Sequence, residues 1–309
     1  GHWKGIKWRR NIMNTLLVLI KRHTKLFFKD KGMFLTALIT PMILLILYAT
    51  FLANLYKDNF LSSIPENVQI SSKLIDALVA GQLVSSLFAV SCVTISFCTN
   101  FLMVQDKANG TSKDLMITPI RSSVLSLSYF IASFLSSFMI CFIGAGISFI
   151  YLAIVGFYLT IGDVFLFLFD VFLLVLFGTA LSSLINIFLK TMGQISAVGT
   201  IVSAGYGFIC GAYMPIASFS QGLQNVVMFL PGTYGTSLLR NHAINGVFQE
   251  MMNQGLPSSV ITEMKNALDC NLYFFNQQVS IGVMYLILIV STLLFIVIYV
   301  LVHRFKKTH

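Results

Sequence analysis

Charged side chains are scarce in this chain. They make up 10% of its 309 residues, and only 11 residues are acidic, whereas soluble domains carry roughly 25% charged residues. Hydrophobic residues reach 57%, which excludes an ordinary soluble domain and predicts an integral membrane protein. The net charge of +9 comes from basic residues that lie beside apolar segments. We therefore read that charge as a sign of membrane topology and predict no nucleic-acid partner.

Residues for catalysis or metal binding are also few and dispersed. The five cysteines predict no disulfide framework, since four of them lie in apolar segments. The five histidines form no HExxH motif and no cluster with cysteine, so no metal site is predicted. We therefore expect no enzymatic activity from this chain alone. The five cysteines are Cys92, Cys98, Cys141, Cys210 and Cys270, and the five histidines are His2, His23, His242, His303 and His309.

A phosphate-binding loop is absent as well. The nearest match to G-x-x-x-x-G-K-[ST] runs from Gly110 to Lys113, but Gln105 stands where the first glycine is needed, and no apolar strand precedes it. The chain is therefore expected to bind no ATP. The initial Gly1-His2 is interpreted as an artificial addition, and no cleaved signal peptide is predicted.

Six apolar stretches are long enough to cross a bilayer, which takes about 20 residues of helix. They define a transmembrane domain over residues 32–303, with an uncharged hairpin predicted after the third stretch. Of the 20 Lys and Arg residues, 16 lie on one side of this layout, so the positive-inside rule places both termini in the cytoplasm. The predicted spans are about 33–56, 78–104, 124–150, 164–188, 194–214 and 279–302.

The two ends of the chain are basic. Residues 1–31 are predicted to form a cytoplasmic amphipathic helix that lies against anionic lipid headgroups, and residues 304–309 a basic cytoplasmic tail. The apolar stripe of the N-terminal helix consists of Ile12, Leu16, Leu19, Ile20 and Phe27. Its basic face consists of Lys21, Arg22, Lys25 and Lys29.

Residues 105–121, between the second and third spans, form a polar loop. Asn109-Gly110 favours a turn, and Thr111 or Ser112 can cap a short helix that continues through Leu115 and Met116. Thr118-Pro119 ends that helix, because the residue before a proline disfavours helical geometry. This pattern predicts a short capped helix at the membrane surface.

Residues 215–278 form the largest region on the opposite side. Pro215 and Pro231-Gly232 are predicted to divide its first part into two helices of about ten residues, too short to cross a bilayer. Such helices can enter the membrane and return where protein shelters their ends. The loop over 246–278 is predicted to contain one short helix, from Ser259 to Leu268.

Several intramembrane residues are candidates for function or for packing. Asp170 lies inside the fourth span, where a carboxylate is costly; it could bind a basic substrate, carry a proton, or bond to a neighbouring helix. The hydroxyls of the second span either line a cavity or pack helices. Ser203, Gly207 and Gly211 have the spacing of a helix-packing face, for a second copy or within the chain. The candidate pathway residues are Asn100, Asp170, Tyr206 and Phe208.

Two segments resemble parts of type-2 ABC exporter permeases. Together with the layout of the spans, the resemblance covers nearly the whole chain. The loop matches their coupling helix, although Lys113 stands where an acid is common and Ala108-Asn109 replaces a basic pair. The coupling positions are Asp106, Gly110, Thr111, Asp114, Leu115, Thr118 and Pro119. The region after span five matches their re-entrant outer helices at Pro215, Leu230, Pro231, Tyr234 and Arg240.

The resemblance implies an ATP-driven exporter in a bacterial-type plasma membrane. Two permease chains, expected to be identical, would join two ATPase subunits that bind ATP and magnesium. The substrate cavity would lie between spans one, two and five of each copy, and the N-terminal helix would border the ATPase. Abundant Phe and Met suggest hydrophobic or amphipathic substrates, such as drugs, peptides or lipids. The alternatives are an ion-coupled secondary transporter that uses Asp170, a membrane-embedded enzyme, and a non-transporting sensor or immunity subunit.

Overall fold

The computed structural model describes residues 2–305, which are almost entirely helical. The last four residues of the predicted basic tail lie outside this range. The helices are α1 His2–Lys29, α2 Lys31–Leu47, α3 Ala53–Ser62, α4 Ser72–Ala108, α5 Thr111–Ile117, α6 Ser122–Val155, α7 Ile161–Asn186, α8 Met192–Ile209, α9 Gln221–Val227, α10 Pro231–Asn253, α11 Ser258–Ala267 and α12 Ile281–Phe305. A π-helical turn, Tyr48–Leu52, joins α2 to α3.

Among the described residues, five helical segments are long and apolar enough to cross a membrane. They coincide with five of the six predicted spans. These segments are Lys31–Ser62, Ser72–Ala108, Ser122–Val155, Ile161–Asn186 and Ile281–His303. The fold is therefore that of an α-helical, multi-pass membrane protein.

Helix α8 stands where the fifth span was predicted, but it is shorter than expected. It has 18 residues and ends at Ile209 instead of 214. Gly211 has a left-handed φ of 80°, which turns the chain back so that the N–H groups of Ala212 and Tyr213 reach the Gly207 carbonyl at 2.9 and 3.0 Å. Glycine adopts this conformation at little cost and commonly ends helices.

Helix α4 occupies the centre of the molecule and packs against α2, α6, α7, α8 and α10. Glycines let its neighbours approach closely. A Cβ added to Gly178 of α7 would lie 3.0 Å from the Val93 Cα of α4, and one added to Gly81 would lie 2.4 Å from Ile244 of α10. This close packing explains why nearly the whole of α4 is buried.

Residues 215–278, which were predicted on the side opposite the termini and are called the outer region below, differ from the prediction in one main respect. Pro231 marks the boundary between two helices, as predicted, but the second of them, α10, begins at this proline and continues for 23 residues to Asn253 instead of about ten. Proline is well suited to the first turn, where its missing N–H is not needed. Helix α9, by contrast, has only seven residues. The predicted helix near 259–268 is confirmed as α11.

Two further details correct the prediction. The apolar hairpin expected after span three is a short loop, and α7 begins at Ile161 with a capping box in which Thr160 and Asp163 bond each other's backbone N–H groups at 3.1 Å. The fold is also not purely helical, since Leu272–Phe274 pairs antiparallel with Gln277–Val279. Phe275 and Asn276 both have positive φ, as the tight turn of such a hairpin requires.

Candidate transport groove and coupling surface

A groove runs along the first membrane helix on the side of α8. Its first part has a volume of 510 Å³ and lies between α2, α4 and α8. Its second part has a volume of 770 Å³ and lies between the π turn with α3, the segment from Tyr213 to Ser218, and α11. Both volumes are in the range of small-molecule sites, roughly 300–1,000 Å³. The two parts share no lining residue, and both flank the first membrane segment.

The groove walls are mainly apolar and carry a few polar groups. In the first part, Thr36, Ser196 and Thr200 supply hydroxyls among isoleucine and phenylalanine side chains, and Asp30 is the charged residue in the lining. In the second part, Glu263 is the charged residue in the lining. Such a surface suits a molecule with an apolar body and few polar groups.

The four predicted pathway residues do not line either part of the groove. Asn100 is buried and donates to Ser182 and Ser183 of α7 at 2.9 and 2.7 Å. Tyr206 is partly buried, and its hydroxyl lies next to Gly232 in the first turn of α10. Phe208 is 54% exposed and stacks edge-on against Tyr213. The structure thus places Asn100 in the contact between α4 and α7.

Asp170 is fully buried within a polar cluster that the sequence did not indicate. His242 of α10 hydrogen-bonds one carboxylate oxygen through Nδ1, and the Tyr285 hydroxyl of α12 donates to the other. Both partners lie more than 70 positions away in the chain, so no local motif could reveal them. A carboxylate with both oxygens engaged ties α7 to α10 and α12, which is the bond to neighbouring helices that the sequence left open.

The predicted small-residue face is not a continuous surface. Gly211 lies beyond the end of α8, and a Cβ added to Gly207 would lie 2.3 Å from the Tyr213 ring of the same chain. Ser203 instead lines the first part of the groove. The glycines therefore serve contacts within the chain, while the serine lies on the open side.

The hydroxyls of the second span include groups engaged in helix packing. Thr99 of α4 hydrogen-bonds Ser133 and Ser137 of α6 at 2.8 and 2.7 Å. Ser96 also reaches the backbone of α7 at 3.3 Å. These residues favour the packing interpretation of the hydroxyls over the cavity-lining one.

A short helix, α5, is present where the coupling helix was predicted. Gly110 precedes it with φ 80°, so the cap position is this glycine and not Thr111 or Ser112. Thr118 leaves the helix in an extended conformation before Pro119, as predicted. Both residues are exposed, as is Asp114. The short helix therefore begins and ends within one residue of its predicted limits.

The side chains of α5 divide into an inner and an outer set. Leu115 packs toward a small apolar cluster that contains Leu19 and Tyr129. Met116 and Ile117 point outward and are 48% and 83% exposed. The resemblance singled out Leu115 as the apolar coupling residue. The side of a seven-residue helix that faces the core cannot be predicted from so short a segment.

Asp106 is not on the surface of the loop. It is 5% exposed, and its Oδ2 accepts hydrogen bonds from Arg22 at 2.9 Å and from the Tyr129 hydroxyl. Arg22 accordingly leaves the predicted basic face of α1, while Lys21, Lys25 and Lys29 remain exposed. Asp106 therefore anchors α1 to α4 and α6.

His23 completes this anchor. Its ring stacks on Tyr129 with 3.9 Å between centroids, and Nε2 lies 3.0 Å from the Ser128 hydroxyl. Burial, reinforced by the neighbouring Arg22 charge, lowers the pKa of His23 to about 4, against the opposing influence of Asp106. The imidazole is therefore neutral at physiological pH.

A second buried ion pair holds the outer region together. Arg240 of α10 is fully buried and donates to Asp269 at 3.1 Å, to Ser86 at 2.9 Å and to the Gly211 carbonyl at 2.7 Å. Burial raises the pKa of the Asp269 carboxyl, while Arg240 and the N–H groups of Ile216 and Ala217 oppose that rise. Pro215 directly precedes this segment, and the Tyr234 hydroxyl donates to the Met228 carbonyl at 2.6 Å.

Residues 2–305 contain no group of three or more His, Cys, Asp or Glu side chains that could hold a metal ion. A comparison with curated proteins returns no match. The family model of the ABC-2 type transporter matches residues 14–243, which include α2, α4 and α8 around the groove, and α5. The chain therefore belongs to the ABC-2 type transporter family and is a membrane-spanning permease component of an ABC transporter.

Proposed function

We propose that two copies of this chain form the transport pathway of an ATP-driven exporter. The observation that carries the proposal is the groove between α2, α4 and α8, which remains open along one side of the protomer. A second copy related by a twofold axis would close the groove, since closed symmetric dimers are the commonest assembly. The two grooves would then face each other around one substrate cavity.

Exposed apolar side chains on both sides of the groove support this arrangement. On α2, Ile39 and Ile43 line the groove and are 51% and 49% exposed. On α8, Ile201 and Phe208 are 70% and 54% exposed. In this proposal α8 is the fifth of six spans, although it is short, and α9 with the start of α10 forms the re-entrant outer pair that caps the cavity.

Helix α5 provides the contact with the ATPase subunit. Met116 and Ile117 form an exposed apolar tip, flanked by the exposed polar residues Asp114 and Thr118. Apolar residues that enter a partner's pocket contribute most of the binding energy at such contacts. ATP and magnesium bind to the ATPase, whose closure draws the two α5 helices together and opens the cavity to the outside. Transport requires that the ATPase bind the two states of the permease differently.

The groove indicates the substrate class. Its apolar walls and few hydroxyls suit hydrophobic or amphipathic molecules, and the acids at its two parts, Asp30 and Glu263, favour neutral or cationic groups over anionic ones. Both termini lie in the cytoplasm, beside the ATPase, with the protein in a plasma membrane. The paired state of Asp170 supports a structural role for that residue.

Capture of the ATPase subunit from membranes that contain it tests the proposal. Ile117→Asp should lower recovery of the ATPase at least tenfold, as expected for an interface residue that contributes about 2 kcal/mol. Ile161→Asp is the matched control, because Ile161 is 79% exposed at the start of α7, on the other membrane side of the proposed topology. Equal recovery with both variants would contradict the role of α5.

A second measurement tests the cavity. Ser203→Trp places a large side chain in the groove, so it should abolish substrate stimulation of ATP hydrolysis in the purified complex while leaving ATPase capture intact. Unchanged stimulation would show that the pathway lies elsewhere.

A further inference from the structure

A second apolar crevice lies on the opposite side of α2 from the groove. It has a volume of 440 Å³ and lies between α2 and α6, with α4 as its floor. Its rim is open, since Met139, Ile143 and Ile147 of α6 are 49%, 62% and 64% exposed. The crevice shares no lining residue with either part of the groove. It is therefore a separate feature of the membrane-facing surface.

The floor of the crevice carries one unsatisfied polar group. Ser91 of α4 is 4% exposed, and its hydroxyl has no hydrogen-bond partner among the described residues. Serines in membrane helices usually bond their own backbone or a neighbouring helix. A buried hydroxyl without a partner is unfavourable by about 1–3 kcal/mol. An occupant with an acceptor oxygen would satisfy it.

One end of the crevice leads to a basic surface. Phe28 of α1 lines both the crevice and a shallow depression of 600 Å³ formed by α1. Lys21, Lys25 and Lys29 line that depression, and no acid is present in its lining. Their four-residue spacing places the three exposed ammonium groups on one helix face. No ion pair within 4 Å joins them to an acid in the described part of the chain.

We propose that this crevice binds one anionic phospholipid from the leaflet nearest α1. An acyl chain fills the apolar space between α2 and α6, and the phosphate lies against Lys25 and Lys29. An ester carbonyl of the lipid accepts the hydrogen bond that Ser91 can donate. Charge complementarity selects the anionic headgroup, since each lysine near the headgroups favours an anionic lipid by about fivefold. This site does not rest on the proposed transport function.

The test uses native mass spectrometry of the purified full chain with added phosphatidylglycerol or phosphatidylcholine of identical acyl chains. One molecule of phosphatidylglycerol should be retained in preference to phosphatidylcholine. The double variant Lys25→Gln and Lys29→Gln should lower phosphatidylglycerol retention by about 25-fold, from two contributions of about fivefold each. Lys190→Gln, an exposed lysine elsewhere in the chain, should leave it unchanged. Equal retention of the two lipids by the unmodified chain would overturn the proposal.

A pair of glycine variants on α6 tests the position of the acyl chain. Gly144 lines the crevice and lies 3.5 Å from Phe88 at its Cβ position, whereas Gly146 is exposed and has no neighbour within 4 Å. Gly144→Leu should therefore reduce retention of both lipids, and Gly146→Leu should not. Ile147→Trp narrows the rim without altering buried residues, so it should also reduce retention of both lipids. It replaces Gly144→Leu as the test if that variant does not fold. If all three variants retained the lipids as well as the unmodified chain does, binding in the crevice would be refuted.

Discussion

The first two membrane segments, Lys31–Ser62 and Ser72–Ala108, have nearly the same mean hydropathy but opposite environments. In the second segment, 94% of the most apolar window is buried, whereas in the first only 17% is buried. Both are long enough to cross the bilayer. Hydropathy therefore predicts that a helix enters the membrane, but it does not predict which helix forms the core.

The polar side chains explain this difference. In α4, Ser96, Thr99 and Asn100 bond groups on α6 and α7. In the first segment, Thr36 and Thr50 bond only carbonyls of their own helix among the described residues, at 2.7 and 2.9 Å. Polar groups in lipid need partners, so the helix whose polar groups reach other helices is drawn to the centre. The first segment is left free to face lipid or a second copy.

The largest effect is expected where the buried ion pair between Arg240 and Asp269 is broken. Arg240→Met leaves Asp269 buried without its cation, which should destabilise the protein by about 3–5 kcal/mol. Adding Asp269→Asn removes the unpaired charge and should recover part of that loss. Thermal unfolding in detergent measures both variants. Wild-type stability of Arg240→Met would show that the outer contacts to α4 do not depend on this pair.

The next prediction compares the same substitution in the two segments. Leu78 of α4 is fully buried, and Leu35 of α2 is 62% exposed. Leu78→Ala creates a cavity and should cost about 2–5 kcal/mol. Leu35→Ala should change stability by less than about 0.5 kcal/mol, because that side chain faces surroundings as apolar as itself. Equal losses in unfolding experiments would remove the distinction between the segments.

The smallest effect concerns the anchor of α1 and appears only in acid. Since the pKa of His23 is lowered to about 4 in the folded protein from the ordinary histidine value of 6.5, the unfolded chain binds the proton more readily. Stability is therefore complete above pH 6.5 and falls as the pH drops toward 4, by roughly 2–3 kcal/mol. His23→Gln should flatten this part of the stability profile. An identical acid dependence in the variant would assign the effect to other groups.

Prediction from sequence succeeded where a local rule operates. Long uncharged stretches located five membrane segments, because only backbone-satisfied helices are stable in lipid. The glycine turn and the Thr118-Pro119 stop located α5 almost to the residue. Prediction failed for the length of α10: Pro231 marks a helix boundary as expected, but the helix that it begins has 23 residues instead of about ten. A proline in the first turn does not limit the length of the helix, and packing against α4, α7 and α12 stabilises the long one.

The functional residues follow the same division. By itself the sequence determined a multi-pass helical membrane protein with a short surface helix, because hydropathy, basic flanks and turn residues act locally, and the resemblance of two segments indicated the permease family. Only the tertiary structure decided that Ile117 and not Leu115 faces outward, that Asp106 anchors α1, and that Asp170 lies between His242 and Tyr285. Those outcomes depend on contacts between helices that are distant in the chain, and the free energy of such contacts is set by the neighbours that packing provides.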